Sequence, residues 1–112
     1  MNLTEYQNKA LETAIYPNKT GMNAGIIYTA LGLASEAGEY SGKIKKIIRD
    51  KEGIINPSDR MELLKELSDV LWYVSAASKG LGYTLEDVAK ANISKLESRA
   101  KRGKLKGSGD SR

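Results

Sequence analysis

The stretch "GLASEAGEYSGKIKK" (residues 32–46) decides the fold and raises the functional question together. Its apolar residues recur at spacings of three and four, which is one face of an α-helix. Glu36 and Glu39 stand three apart, so they are neighbours on that helix surface. The device returns in "KELSDVLWYV" (65–74), where Glu66 and Asp69 keep the same spacing. On a wheel of about 100° per residue with Glu36 at zero, Leu33, Ala37, Tyr40, Ile44 and Ile47 occupy about +20° to +100°, and Glu39 falls at about −60°. With Glu66 at zero, Leu63, Leu67, Val70, Leu71, Val74 and Ala77 occupy about +20° to +140°, and Asp69 again falls at about −60°. Each acidic pair therefore flanks an apolar stripe.

If the two stripes pack together, the four carboxylates meet at one rim of the interface. Carboxylates gathered there repel one another, and burial disfavours each ionised form. A divalent cation would remove that cost. The ordinary alternative is two solvated flanks with Lys43 and Lys65 as partners. The repetition of the pair beside both stripes favours the cation. Tyr73, one turn beyond Asp69, belongs beside the acidic site. Trp72 points away from the stripe. It reads as a second packing surface in preference to a stacking platform.

Composition narrows the chemistry. The 112 residues amount to one domain and contain no Cys and no His. Disulfides, thiol nucleophiles, the usual zinc ligands and the commonest general base are therefore excluded. Oxygen must hold any metal, which points to Mg²⁺, Mn²⁺ or Ca²⁺. The start "MNLTEYQNKA" carries no apolar run after a basic one, and no stretch approaches the ~20 apolar residues of a membrane span. A cytoplasmic protein without a membrane partner is expected. The net charge is +4, and from Lys90 onward Lys and Arg face only Glu97 and Asp110. A basic end suits phosphates or nucleic acid, or it merely keeps a tail soluble.

Four helices are expected. The first covers residues 4–15 and stops before Pro17. The second runs from 24 to 49, with Asn23 as its cap, and "DKEGIINPSD" breaks it. The third is capped by Asn56, opens on Pro57 with Asp59 in its first turn, and runs to about Lys79. Thr84 with Asp87 makes a capping box for the fourth, 85–101, and Gly103 ends it. The fold class is all-α, an antiparallel helical bundle of about four helices. A single domain spans 1–102, and 103–112 form a flexible basic C-terminal tail. Asn92, Lys95 and Arg99 share one face of the fourth helix, opposite Val88, Ala89, Ile93 and Leu96. Cations on that face would bind phosphate oxygens, although each alone reads as solvated surface. Ile27 and Leu31 lie opposite the main stripe of the second helix, Ile48 lies beyond its edge, and Trp72 is off the core face of the third. Such leftover surface calls for a homo-oligomer, dimer or tetramer, that completes the bundle.

With "DVLWYV", "LGYTLEDVAKAN" and "KL" followed by Arg99 beside the two acidic motifs, the chain resembles the MazG-like nucleotide pyrophosphohydrolases of the all-α NTP pyrophosphatase superfamily. The resemblance covers most of the chain. It implies Mg²⁺-dependent hydrolysis of a nucleoside triphosphate to monophosphate and pyrophosphate, with Mn²⁺ as a substitute metal. Carried over, Glu36, Glu39, Glu66 and Asp69 would be metal-ligating and catalytic, and Tyr73, Asn92, Lys95 and Arg99 would contact the nucleotide. Many members carry a further Glu where this chain has Ser35, so any of the four carboxylates stands as the water-activating base. The chemistry agrees: phosphoryl hydrolysis needs charge neutralisation, alignment and a base, but no covalent nucleophile. There is no G-x-x-x-x-G-K loop. The alternatives are a dUTPase-like or phosphoribosyl-ATP pyrophosphohydrolase of the same superfamily, or a non-catalytic basic helical module for nucleic acid or protein. Retention of all four carboxylates disfavours nucleic acid as the partner.

Overall fold

Each helix begins where a side chain can satisfy its first free amides. In the computed structural model, which describes residues 1–17 and 24–112, these are α1 (Leu3–Leu11), α2 (Ala24–Lys51), α3 (Pro57–Gly80) and α4 (Leu85–Lys101). No strand occurs among the described residues. Asn2 caps α1 by accepting the Glu5 amide at 2.8 Å. Asn56 and Asp59 close a reciprocal capping box on α3 with Pro57 behind the cap, and Thr84 and Asp87 do the same for α4. The expected Asn23 cap of α2 lies outside the described residues. α2 ends as Glu52 and Gly53 turn left-handed (φ 55° and 76°) and the Gly53 amide reaches back to the Ile47 carbonyl at 3.1 Å.

α1 is shorter than expected, stopping at Leu11 instead of residue 15. The Ala10 carbonyl explains this. It accepts from the Trp72 indole at 3.0 Å and from the Thr13 hydroxyl at 2.7 Å, so it is drawn out of the helical ladder. The next amides make tighter bonds, Thr13 to Ala10 and Ala14 to Leu11, and the chain leaves the helix.

The helices run antiparallel, as their cross-contacts show. Along the α2–α3 pair, Gly32 faces Tyr73, Lys43 bonds Glu62 and Glu66, and Lys51 bonds Asp59. As one number rises the other falls. α1 runs against α3 in the same sense, with Gln7 on Ser75 and Ala10 on Trp72. Among the described residues α4 packs on α1 and α3 but not on α2. Buried Gln7 joins three helices: its amide nitrogen donates to the Ser75 carbonyl at 3.1 Å, and its oxygen accepts the first amide of α4, Leu85, at 3.0 Å. An otherwise orphaned helix-start donor is thereby satisfied.

The apolar core is thin. Ile47, Leu63, Ala76 and Leu85 are buried, while the stripe members Ala37, Leu67 and Leu71 are exposed in the single chain. Ile27, Leu31, Ile48 and Leu64 are exposed as well, Leu31 at 67% and Ile48 at 64%. Trp72, by contrast, is covered by α1 and is not leftover surface. The radius of gyration, 16.9 Å, exceeds the ~13 Å of a compact chain of this length. A long two-helix arm with apolar flanks accounts for the excess.

Candidate active site

The antiparallel register of α2 and α3 brings three of the four expected carboxylates together. One oxygen each from Glu36, Glu66 and Asp69 lies within 4.8 Å of the others. Glu39, one turn further on, is exposed and outside that trio, although its charge still acts on Glu36. The Glu36 pKa is raised, first by burial, then by Asp69, Glu66 and Glu39. These are the repulsions expected of carboxylates crowded on a partly desolvated rim.

A cation already answers part of the charge. Lys43 Nζ lies 3.0 Å from a Glu66 oxygen and 3.2 Å from Glu62, and its pKa is raised by these bonds, Glu66 foremost. Lys65 pairs with Glu62. The ordinary-flank reading of the lysines is thus correct for them, yet it gives Glu36 and Asp69 no cationic partner among the described residues. The donors fit a hard divalent ion. They are all carboxylate oxygens, and opposed ligands on an ion of this class stand roughly 4–5 Å apart.

A cleft of about 430 Å³ opens beside the trio, lined by Glu36 and Asp69 on one side and by Tyr16, Tyr28, Trp72 and Tyr73 on the other. Such a volume suits a small organic ligand. Tyr16 and Tyr28 stack with centroids 5.1 Å apart and rings 14° from parallel. Trp72 meets Tyr16 and Tyr73 edge-on, at 6.2 and 4.9 Å. The Trp72 indole is held by the Ala10 carbonyl and, at 3.1 Å, by the Thr13 hydroxyl. It is therefore both the packing surface expected and a wall of the cleft. Tyr73 seats its ring directly against Gly32, where any Cβ would collide with it. Burial and the neighbouring Tyr28, Glu36 and Asp69 raise the Tyr73 pKa, and burial and Asp69 raise that of Tyr6.

The other expected nucleotide contacts stand elsewhere in this chain. Asn92 is exposed on α4, and Lys95 and Arg99 bond to Asp110; none lines the cleft. Sequence reasoning missed Tyr6, Tyr16 and Tyr28. Their positions carry no motif, and only the hairpin of α2 and α3 together with the early end of α1 brings them to the acids. The one usable signal was the number of tyrosines, six, in a chain without Phe.

The described residues are thus helical wherever they are regular, with a metal-competent carboxylate trio beside an aromatic cleft. Residues 27–103 match the MazG nucleotide pyrophosphohydrolase domain, and the chain belongs to that family. It is also 44% identical to the Gene 37 protein of Mycobacterium phage L5 over 114 residues, covering the whole of both chains. No solved structure matches.

Proposed function

We propose that the chain is a Mg²⁺-dependent nucleoside triphosphate pyrophosphohydrolase, releasing monophosphate and pyrophosphate. The observation that carries this reading is the continuity of the site. Glu36 and Asp69 belong both to the carboxylate trio and to the wall of the aromatic cleft. A base stacked on Tyr16, Tyr28 or Trp72 leaves its phosphates directed at the acids. Glu36, Glu66 and Asp69 would hold the metal, and Glu39 would join them by rotation of its exposed side chain. The ion, Mg²⁺ or Mn²⁺ in its place, would neutralise phosphate charge. One of the four carboxylates takes the proton of the attacking water, and Lys43 holds Glu66 in its orientation.

The reaction breaks the anhydride between the first and second phosphates. A panel of ribo- and deoxyribonucleoside triphosphates with Mg²⁺ tests it. Monophosphate and pyrophosphate are the expected products. Orthophosphate as the product, or no turnover with either Mg²⁺ or Mn²⁺, would defeat the reading. The same panel, extended to dUTP and phosphoribosyl-ATP, separates the narrow-substrate alternatives.

The functional unit we propose is a homo-oligomer, a dimer or a dimer of dimers. Leu31, Ile48, Leu64, Leu67 and Leu71 are exposed on the α2–α3 arm, apolar surface that a second copy would bury. Pairing would also bring the α4 cations of one subunit within reach of another's acids. Light scattering tests this: full activity at a mass near 12.2 kDa would refute it.

A further inference from the structure

Residues 103–112 turn back over α4. Gly103, Gly107 and Gly109 take positive φ, and the Arg112 guanidinium donates to the carbonyls of Lys104, Leu105 and Gly109. Arg102 in turn donates to the Arg112 carbonyl at 2.8 Å. This fold-back sets Asp110 on the face of α4 that carries Lys95 and Arg99. An Asp110 carboxylate oxygen lies 2.7 Å from Lys95 Nζ and 3.3 Å from Arg99 Nη2, and the Asp110 carbonyl accepts Arg99 Nη2 at 2.8 Å.

The two partners differ sharply in setting. Arg99 is only 6% exposed, whereas the Asp110 side chain is 82% exposed. A buried cation is thus met by a carboxylate that can leave. The match is also incomplete. Arg99 Nε is buried and has no partner among the described residues. Nε and Nη2 form one edge of the guanidinium fork, which takes two oxygens side by side. Asp110 engages Nη2 alone. A phosphoryl group has oxygens enough for Nε, Nη2 and Lys95 together. The Asp110 pKa is lowered, chiefly by its bond to Lys95, so the tail supplies a true anion.

We propose that Asp110 is a displaceable anion that the tail seats on Lys95 and Arg99, the cations that the family resemblance already implies for the nucleotide. The site is closed while Asp110 is seated and opens when a polyphosphate competes for the fork. This rests on the proposed reaction only for the origin of that polyphosphate, which is either an intact nucleotide or released pyrophosphate.

Binding is measured calorimetrically without metal, in EDTA, using inorganic pyrophosphate in one arm and an α,β-methylene nucleoside triphosphate in the other. Asp110→Asn should bind about tenfold tighter than the parent chain in at least one arm, and Lys95→Met should bind about tenfold weaker, the worth of one charge-assisted bond. A gain in the pyrophosphate arm identifies product as a ligand; a gain only with the analogue identifies the nucleotide. Affinities unchanged by Asp110→Asn in both arms would overturn the proposal, as would a Lys95→Met chain that binds like the parent. Arg99 is left intact because its burial makes folding depend on it. The NMR signal of its Nε–H should shift as pyrophosphate is added, and a fixed signal would also overturn the proposal. Turnover is not read, so loss of catalysis and loss of this site register separately.

Discussion

The two halves of α3 are built to opposite rules. From Trp72 to Ser78 the helix is covered. Ser75, Ala76 and Ser78 are buried, Trp72 is clasped by the end of α1, and Gln7 ties the backbone to α4. Small side chains let the other helices approach closely. From Pro57 to Asp69 the helix is open: only Leu63 is buried, and Met61, Leu64 and Leu67 face outward beside Glu66 and Asp69. The acids thus stand where the seal ends. The difference teaches that this chain sets its close packing and its acids at different levels of a single helix. One half holds the fold together, and the other offers charge and apolar surface to something else.

Substitutions can break each half without breaking the other. The largest effect should come at the open half. Glu66→Gln or Asp69→Asn should lower turnover by at least about 100-fold, since on the proposed reading each would remove a ligand oxygen and not merely an outer partner. Circular dichroism should show both variants folded, and a variant that unfolds would dissolve the distinction. Next, replacing Leu64 and Leu67 together by Glu should leave the fold intact and reduce the particle to a 12.2 kDa monomer by light scattering. An unchanged mass would place any subunit contact elsewhere. At the sealed half, Gln7→Leu should cost about 1–3 kcal/mol in urea unfolding, because it orphans the buried Leu85 amide. Metal binding by the fraction that remains folded should be unchanged.

The smallest effect concerns pH. In the folded, metal-free chain the Glu36 pKa lies above its unfolded value. Its contribution to stability is therefore fully present below the unfolded pKa and is lost as pH rises through the folded one. Glu36→Gln should remove that loss. The metal-free variant should then be stabler than the parent at neutral pH by a fraction of a kcal/mol, with the gap shrinking toward about pH 4. Urea midpoints across that range check it, and a gap that widens on acidification would contradict the sign.

Much of this was legible in the sequence because it depended on local rules. The caps at Asn56 and Thr84 and the spacing of the acids act within a turn or two of helix. Two wheels and one assumption, that the stripes pack, put Glu36, Glu39, Glu66 and Asp69 on one rim, and the structure gathers three of them while Glu39 stands outside. What escaped depended on contacts distant in the chain. Gln7 has nothing in its neighbourhood to mark it as a clamp, since its partners lie at Ser75 and Leu85. The early end of α1 needed Trp72 to draw away the Ala10 carbonyl. The exposure of Leu67 and Leu71 escaped because periodicity shows which residues share a face but not how much of that face one chain can cover. The seat of Asp110 on Lys95 and Arg99 escaped because a glycine-rich end carries no periodicity from which to read a fold-back.

Gly32 carries a consequence for altering what the cleft accepts. The Tyr73 ring rests where a side chain at position 32 would begin, so the position of this aromatic wall is set by a missing methyl group. The site therefore has a natural bump-and-hole pair. Alanine at 32 is the bump that drives the ring into the cleft, and a smaller residue at 73 is the hole that restores its width with a different outline. Two substitutions on facing helices, neither touching a carboxylate, would reshape the ligand's berth and leave the acids in place.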